Sequence, residues 1–294
     1  MKRYLIIWSC MLWLIGCTYE QPHPPSMVLE AWIDAGGYPV VLIHKSYVFA
    51  DAADTTTSLS DIIEQHLIPF GKVTLSDGER TEILTGRLDT MYMPPYTYST
   101  INMKGEVGKT YTVTAKWKEL NVQATTTIPP IAELDSIEIS ADSSGLIKAF
   151  GYMSVDTLTN SYYALFLRTR DSKQFSFMPF GVFENRDAKD RMLKMQIFNP
   201  FTDTINNPKQ LLDFWRDSVT SEPKIYQLKI ASIDYPSYLF WKAYNERIIT
   251  KGILFVPVYR NIPSNVEGGL GYFSGLGSST YPININKDSV YRYR

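Results

Sequence analysis

Only two cysteines occur in the 294 residues, at positions 10 and 17. Neither lies in the body of the chain, so no disulfide, thiolate metal site or cysteine nucleophile can be built there. Histidine is nearly as scarce, at His23, His44 and His66. None falls in an HxxxH or HExxH spacing, which leaves no local zinc motif, and no EF-hand calcium loop is present. Neither sign of charge is in excess: 29 basic residues meet 30 acidic ones, for a net charge of −1. A nucleic-acid role therefore has no electrostatic support. Beyond Ile15 no apolar run reaches the roughly 18 residues that a membrane helix needs.

The chain does have a distinctive start. Met1-Lys2-Arg3 is basic, and Tyr4 to Ile15 is apolar apart from Ser9. Twelve helical residues cover only about 18 Å, too short for a hydrocarbon core of roughly 30 Å. A basic start, a short apolar stretch and a small residue before the cut read as a signal peptide over residues 1–16. Leu14-Ile15-Gly16-Cys17 supplies the recognition residues of a lipoprotein signal peptidase. Gly16 is small enough for a narrow pocket, and the Cys17 thiol can be alkylated by diacylglycerol. Two or more acyl chains at one end hold a protein stably on a bilayer. Residues 17–26, with Pro22, Pro24 and Pro25, read as an extended lipidated spacer. Thr18 stands where the familiar inner-membrane retention signal has Asp, so that signal is absent.

Apolar residues make up 45% of the chain and charged residues 20%, which predicts an ordered, packed body. The expected fold is mainly β. Val28 to Asp34 alternates, with Leu29, Ala31 and Ile33 on one face. Gly36-Gly37 turns the chain into a partner strand over 40–49. Lys72 to Ser76, closed by Asp77-Gly78, then Tyr111 to Trp117 and Val122 to Ile128 continue the series. One helical turn is expected near Asp61 to Glu64. Short strands with turns between them predict an immunoglobulin-like or transthyretin-like sandwich over residues 27–130. Pro129-Pro130 marks a boundary, because proline cannot donate to a sheet ladder. Residues 131–294 read as a larger β-rich domain, with strands near 137–139, 162–168, 192–198, 225–233 and 253–259. One or two helices are expected there, over 209–218 and near 236–250. In the second, Phe240, Trp241, Tyr244 and Ile248 form one stripe, Pro236 suits the first turn and Gly252 the stop.

Two segments invite a binding role. Gly269-Leu270-Gly271-Tyr272-Phe273-Ser274-Gly275 has a GxGxxxG spacing, but phosphate cradling requires a strand, a tight turn and a helix N-terminus together. The segment reads as a loop of the β domain, a candidate contact through Gly269, Gly271, Tyr272 and Phe273. Tyr92, Tyr96 and Tyr98, with Pro94 and Pro95, form a second candidate patch; aromatic rings offer apolar area with few rotors and suit carbohydrate or protein binding, and internal packing of an irregular connection is the other reading. Catalytic patterns are missing. Ser274 lacks the leading glycine of a nucleophile elbow. Asp51/Asp54 and Asp187/Asp190 read as solvated loop charges, leaving a hydrolase with an unrecognised carboxylate pair as the one enzymatic alternative. No cofactor or metal site is expected.

The order of the motifs resembles one lipoprotein family. Cys17, Val28-Leu29-Glu30-Ala31-Trp32-Ile33, Lys72-Val73-Thr74-Leu75-Ser76-Asp77-Gly78 and Gly108-Lys109-Thr110-Tyr111-Thr112-Val113 carry the likeness. Thr127-Ile128-Pro129-Pro130, Leu134-Asp135-Ser136-Ile137, Asn261-Ile262 and Gly268 to Phe273 extend it. The chain is similar to the Bacteroidota lipoproteins of domain of unknown function 4249, departing at Ala31, where glycine is expected. The resemblance implies an outer-membrane lipoprotein, anchored at the cell surface or the periplasmic face. It also implies a non-catalytic binding or accessory module for a TonB-dependent transporter in nutrient uptake, with a structural or adhesive envelope protein as the alternative. The membrane, reached through the lipid, and the transporter are the expected partners; the ligand stays open. Cys17→Ser is expected to leave the leader uncleaved and the chain without label from radioactive palmitate, read by gel autoradiography; a labelled variant would contradict the anchor.

Overall fold

A computed structural model of the chain describes residues 26–46, 65–92, 94–141, 147–169, 173–198, 224–250, 262–285 and 291–293. The leader with Leu14, Ile15 and Gly16, the lipidation site Cys17, and all of the spacer but Ser26 lie outside these residues. So do the expected helical turn at 61–64, the helix over 209–218 and the strand over 253–259.

The described chain is mainly β. Its first half contains β1 (Met27–Asp34), β2 (Val40–Lys45), β3 (Lys72–Ser76), β4 (Thr81–Ile83), β5 (Thr85–Leu88), β6 (Tyr96–Ser99), β7 (Thr110–Trp117) and β8 (Leu120–Thr127). After Pro129-Pro130 come β9 (Ser136–Ala141), β10 (Ile147–Ser154), β11 (Tyr162–Thr169), β12 (Ser176–Glu184) and β13 (Met192–Phe198). β14 (Lys224–Ile233) leads into helix α1 (Tyr235–Thr250), and β15 (Val266–Glu267), β16 (Leu270–Ile285) and β17 (Tyr291–Tyr293) follow.

Three sheets result. The largest has eight strands in the order β12-β11-β14-β16-β1-β2-β6-β5. Its strands alternate, so each presents one set of side chains to either face. On one face lie two cores side by side. Met27, Leu29, Ala31 and Ile33 of β1 pack on the five-stranded sheet β15-β8-β7-β3-β4 through Val73, Leu75, Tyr111, Val113 and Val122. Leu165, Leu228 and Ile230 pack on the four-stranded sheet β13-β10-β9-β17 through Ile137, Ala149, Leu193 and Met195. The opposite face is partly covered by α1 and its aromatic residues.

The division expected at Pro129-Pro130 falls between the two cores, while the eight-stranded sheet takes strands from both sides of it. β16 makes that continuity. Its first half pairs in parallel with β1, and its second half pairs antiparallel with β14. Val266 and Phe273 complete the core built around residues 27–128.

The segment expected as a glycine loop is therefore strand from Leu270 onward. Its glycines answer to close backbone approach. At Gly271 φ is +111°, and a Cβ would lie 1.9 Å from the Leu29 carbonyl oxygen. At Gly277 it would lie 2.4 Å from the carbonyl oxygens of both Pro129 and Pro130. Glycine permits such contacts as well as such φ values, and the two uses cannot be told apart in a bare string of letters.

Gly271→Ala is expected to destabilise the protein by more than about 2 kcal/mol, through strain and overlap together. Gly36 also has positive φ (+74°) but open space around it. Gly36→Ala is expected to cost only about 1 kcal/mol. Urea denaturation of both variants checks the pair; equal losses would refute the role given to close approach.

Candidate functional site: an aromatic cleft

The alternation that sends Leu29, Ala31 and Ile33 into the core sends Val28, Glu30, Trp32 and Asp34 to the other face of β1. On β16 the same face carries Tyr272, Ser274 and Leu276, and on β14 it carries Lys229, Ala231 and Ile233. Helix α1 crosses this face. Asp234 sets its position: the carboxylate accepts from the backbone N–H of Ser237 (3.0 Å) at the helix start, from the Thr126 hydroxyl (2.6 Å) and from the Thr127 N–H. Thr126 in turn accepts from the Gly275 N–H at 2.7 Å. An aspartate cap thus ties the helix to β8 and β16 at once.

The helix leaves a cleft beside it. The outer part has a volume of about 890 Å³ and is walled by Phe175, Phe177, Phe240, Trp241, Tyr244 and Tyr272, with Glu30, Ser176 and Arg247 among its polar residues. That volume lies within the range of roughly 300–1,000 Å³ usual for small-ligand sites. A recess of about 50 Å³ adjoins it, sharing Phe175, Trp241 and Tyr272 and adding Trp32, Phe166, Lys229, Ser274 and Leu276.

The rings support one another. Trp241 stacks on Phe177 at 4.8 Å between centroids and meets Tyr272 edge-on at 4.9 Å, while Phe240 lies 4.7 Å from Tyr272. Phe175 sits between two cations, with the Arg168 guanidinium 4.5 Å and the Lys229 ammonium 4.4 Å from its centroid. Both cations are also held by acceptors. Lys229 Nζ lies 2.8 and 2.9 Å from the two Asp34 carboxylate oxygens, and Ser278 donates to the same carboxylate. Arg168 donates Nε and Nη2 to Gln227 Oε1. Burial raises the Tyr272 phenol well above its usual range, reinforced by the Glu30 carboxylate, and raises Tyr244 in the same way. These phenols stay neutral at physiological pH.

Four buried side-chain polar atoms lack a partner among the described residues, those of Thr97, Ser237, Trp241 and Ser274, and the last two belong to the site. Trp241 Nε1 and Ser274 Oγ are buried with no hydrogen-bond partner within the protein. Both residues line the recess. A buried polar group left unpaired costs about 1–3 kcal/mol, so such atoms call for an explanation.

The candidate residues read from sequence fall in different places. Tyr272 and Gly271 line the cleft, whereas Phe273 on the next position points into the core and is fully buried. Gly269 lies in the turn before β16, packed against the Met27 carbonyl. Tyr98 is buried in β6, where its hydroxyl donates to the Ile68 carbonyl (2.6 Å) and accepts from Gly71 N–H (2.9 Å). It fastens the chain and is not a surface contact. Tyr96, half-buried, packs edge-on against it. Tyr92 reaches the margin of the site, 6.2 Å from Trp32. Its segment is fastened there by Asp89, which pairs with Lys173 at 3.1 Å. Burial raises the Asp89 carboxyl, but the Met91 N–H and Lys173 outweigh it and the net shift is downward. Lys229, Trp32, Phe175 and Phe177 went unrecognised in the sequence, although a lysine within Ile225 to Ile233 and a tryptophan on the outward face of β1 are both unusual positions.

A smaller polar pocket opens on the far side of α1. Tyr162 and Tyr238 stack at 4.4 Å, and Glu184 accepts from the Tyr238 hydroxyl and from Arg186. Those bonds hold the Glu184 carboxyl below its usual range, Tyr238 foremost. Among the described residues no group of three His, Cys, Asp or Glu side chains is placed to hold a metal ion.

The architecture and the cleft define a mainly β protein with an aromatic groove on the helix-bearing face of its largest sheet. The family model described as Domain of unknown function (DUF4249) matches residues 17–281, and the chain belongs to that family. No curated protein matches the chain.

Lys229→Met is expected to lower the unfolding free energy by about 3 kcal/mol, because it leaves the Asp34 carboxylate without its cation. Adding Asp34→Asn is expected to restore part of that loss. Strictly additive losses in urea denaturation would show that the two groups are not coupled.

Proposed function

We propose that this protein is a lipid-anchored, non-catalytic binding module of the outer membrane that holds a small ligand in the aromatic cleft and serves a TonB-dependent transporter. The observation that carries the binding role is the cleft itself: a ligand-sized concavity walled by six aromatic side chains and lined by a few polar groups. The leader ending in Leu14-Ile15-Gly16-Cys17 supports the anchor, and the family resemblance supports the transporter.

The disposition of acids favours binding over hydrolysis. The cleft face of β1 carries Glu30 and Asp34, four residues apart on one strand. Glu30 is the one acid among the described residues that line the cleft and the recess, whereas glycoside cleavage needs two carboxyls facing each other across the bond. Asp34 is in addition committed to Lys229 and Ser278.

Affinity purification of the full chain from detergent-solubilised outer membrane is expected to bring down a TonB-dependent transporter in near-stoichiometric amount. Repeated recovery of the chain without any transporter would overturn the accessory role.

A further inference from the structure

We infer that the ligand of the cleft is a neutral saccharide, seated with ring faces against the aromatic walls and one hydroxyl in the recess. This inference rests on the reading of the cleft as a binding site and adds the chemistry of its occupant.

The recess supplies the first reason. The Trp241 indole N–H can only donate, and the Ser274 hydroxyl can donate or accept. Both atoms are buried without a partner within the protein, and their residues line the same small space. A sugar hydroxyl brings an oxygen for the indole and a proton for serine. An acyl chain brings neither and would leave both atoms unpaired. Arrays of hydroxyls also suit the outer cleft, where Glu30 accepts, Arg247 donates and Ser176 can do either.

The walls supply the second reason. Phe175, Phe177, Phe240, Tyr244 and Tyr272 are only half-buried, so ring surface remains for a flat, partly apolar guest. The C–H face of a pyranose ring is such a guest, and its polar edge meets the groups between the rings. Aromatic side chains bind such ligands at small entropic cost because they have few rotors.

Charge supplies the third. Of the cations that line the recess, Lys229 pairs with Asp34 and Lys173 with Asp89. At the rim Glu30 and Arg247 carry opposite charges. No excess of one sign is left to select an ionic ligand, and a neutral one fits this balance.

The test is titration calorimetry of the full chain in detergent against neutral oligosaccharides of glucose, galactose, mannose and xylose. Dodecanoate and a mixture of short peptides serve as rival ligands. At least one oligosaccharide is expected to bind. For it, Trp241→Phe keeps a ring but removes the N–H, and Ser274→Ala removes the hydroxyl; each is expected to weaken binding about three- to tenfold. Phe177→Ala is expected to weaken it by about tenfold or more through lost stacking. Far-ultraviolet circular dichroism checks that each variant is folded. An unchanged affinity in folded Trp241→Phe and Ser274→Ala overturns the seating in the recess. Binding of dodecanoate or peptide with no oligosaccharide bound overturns the saccharide but keeps the cleft as a binding site. Failure of every probe at millimolar concentration overturns both.

Discussion

Seven consecutive residue pairs join β1 to β16 in parallel, from Val28 against Leu270 to Asp34 against Leu276. A parallel pair requires a long connection between its strands, and here the connection is most of the chain. The consequences spread in both directions. On one face the pairing brings Phe273 into the core beside Leu29 and Ile33. On the other it sets Tyr272 and Ser274 beside Glu30 and Trp32, which makes the floor of the cleft. Because β16 continues antiparallel to β14, the same strand also carries Lys229 to Asp34. The cleft is thus a product of one long strand changing partner along its length.

The two faces of the large sheet differ in how completely they are closed. Two smaller sheets cover one face, with Leu165, Ile230, Leu29 and Ile33 at or near zero exposure. One helix covers part of the other. Trp241 is almost fully buried there, while Phe240, Tyr244, Phe175 and Phe177 keep part of their surface open. Antiparallel and mixed sheets commonly tolerate such an open face when polar groups share it. Here Glu30, Asp34, Lys229 and Ser274 share it with the rings. The Asp234 cap, bonded at once to the helix and to Thr126 and Thr127, keeps the helix from sliding over the remaining gap.

Much of this was written legibly in local patterns. Strict alternation in Val28 to Asp34 and Tyr111 to Trp117 marked strands because each has one dry and one wet side. The stripe Phe240, Trp241, Tyr244 marked a helix that packs on a sheet. What stayed hidden depends on contacts between distant residues. Glycines 269, 271, 275 and 277 read as a loop because conformational freedom and close packing use the same residue. Tyr98 reads equally as a contact or as internal packing, because nothing near it in the chain shows that Ile68 and Gly71 claim its hydroxyl. The outward face of β1 was implicit in the inward one; Glu30, Trp32 and Asp34 were visible as its complement. Their meeting with Lys229 and Phe175, some two hundred and one hundred and forty residues further on, was not.

The late position of β16 in the chain also governs the order of assembly. β1 and β2 lie at the start of the chain, yet the core around them stays incomplete until Val266 and Phe273 join it. Until then one edge of β1 offers its backbone groups to any passing strand, and Leu29 and Ile33 face a cavity where Phe273 will sit. Contacts of such long sequence separation form slowly. Intermediates with open strand edges aggregate readily. The chain is therefore most adhesive before β16 has docked, and a holding chaperone that shields β1 would act on that interval.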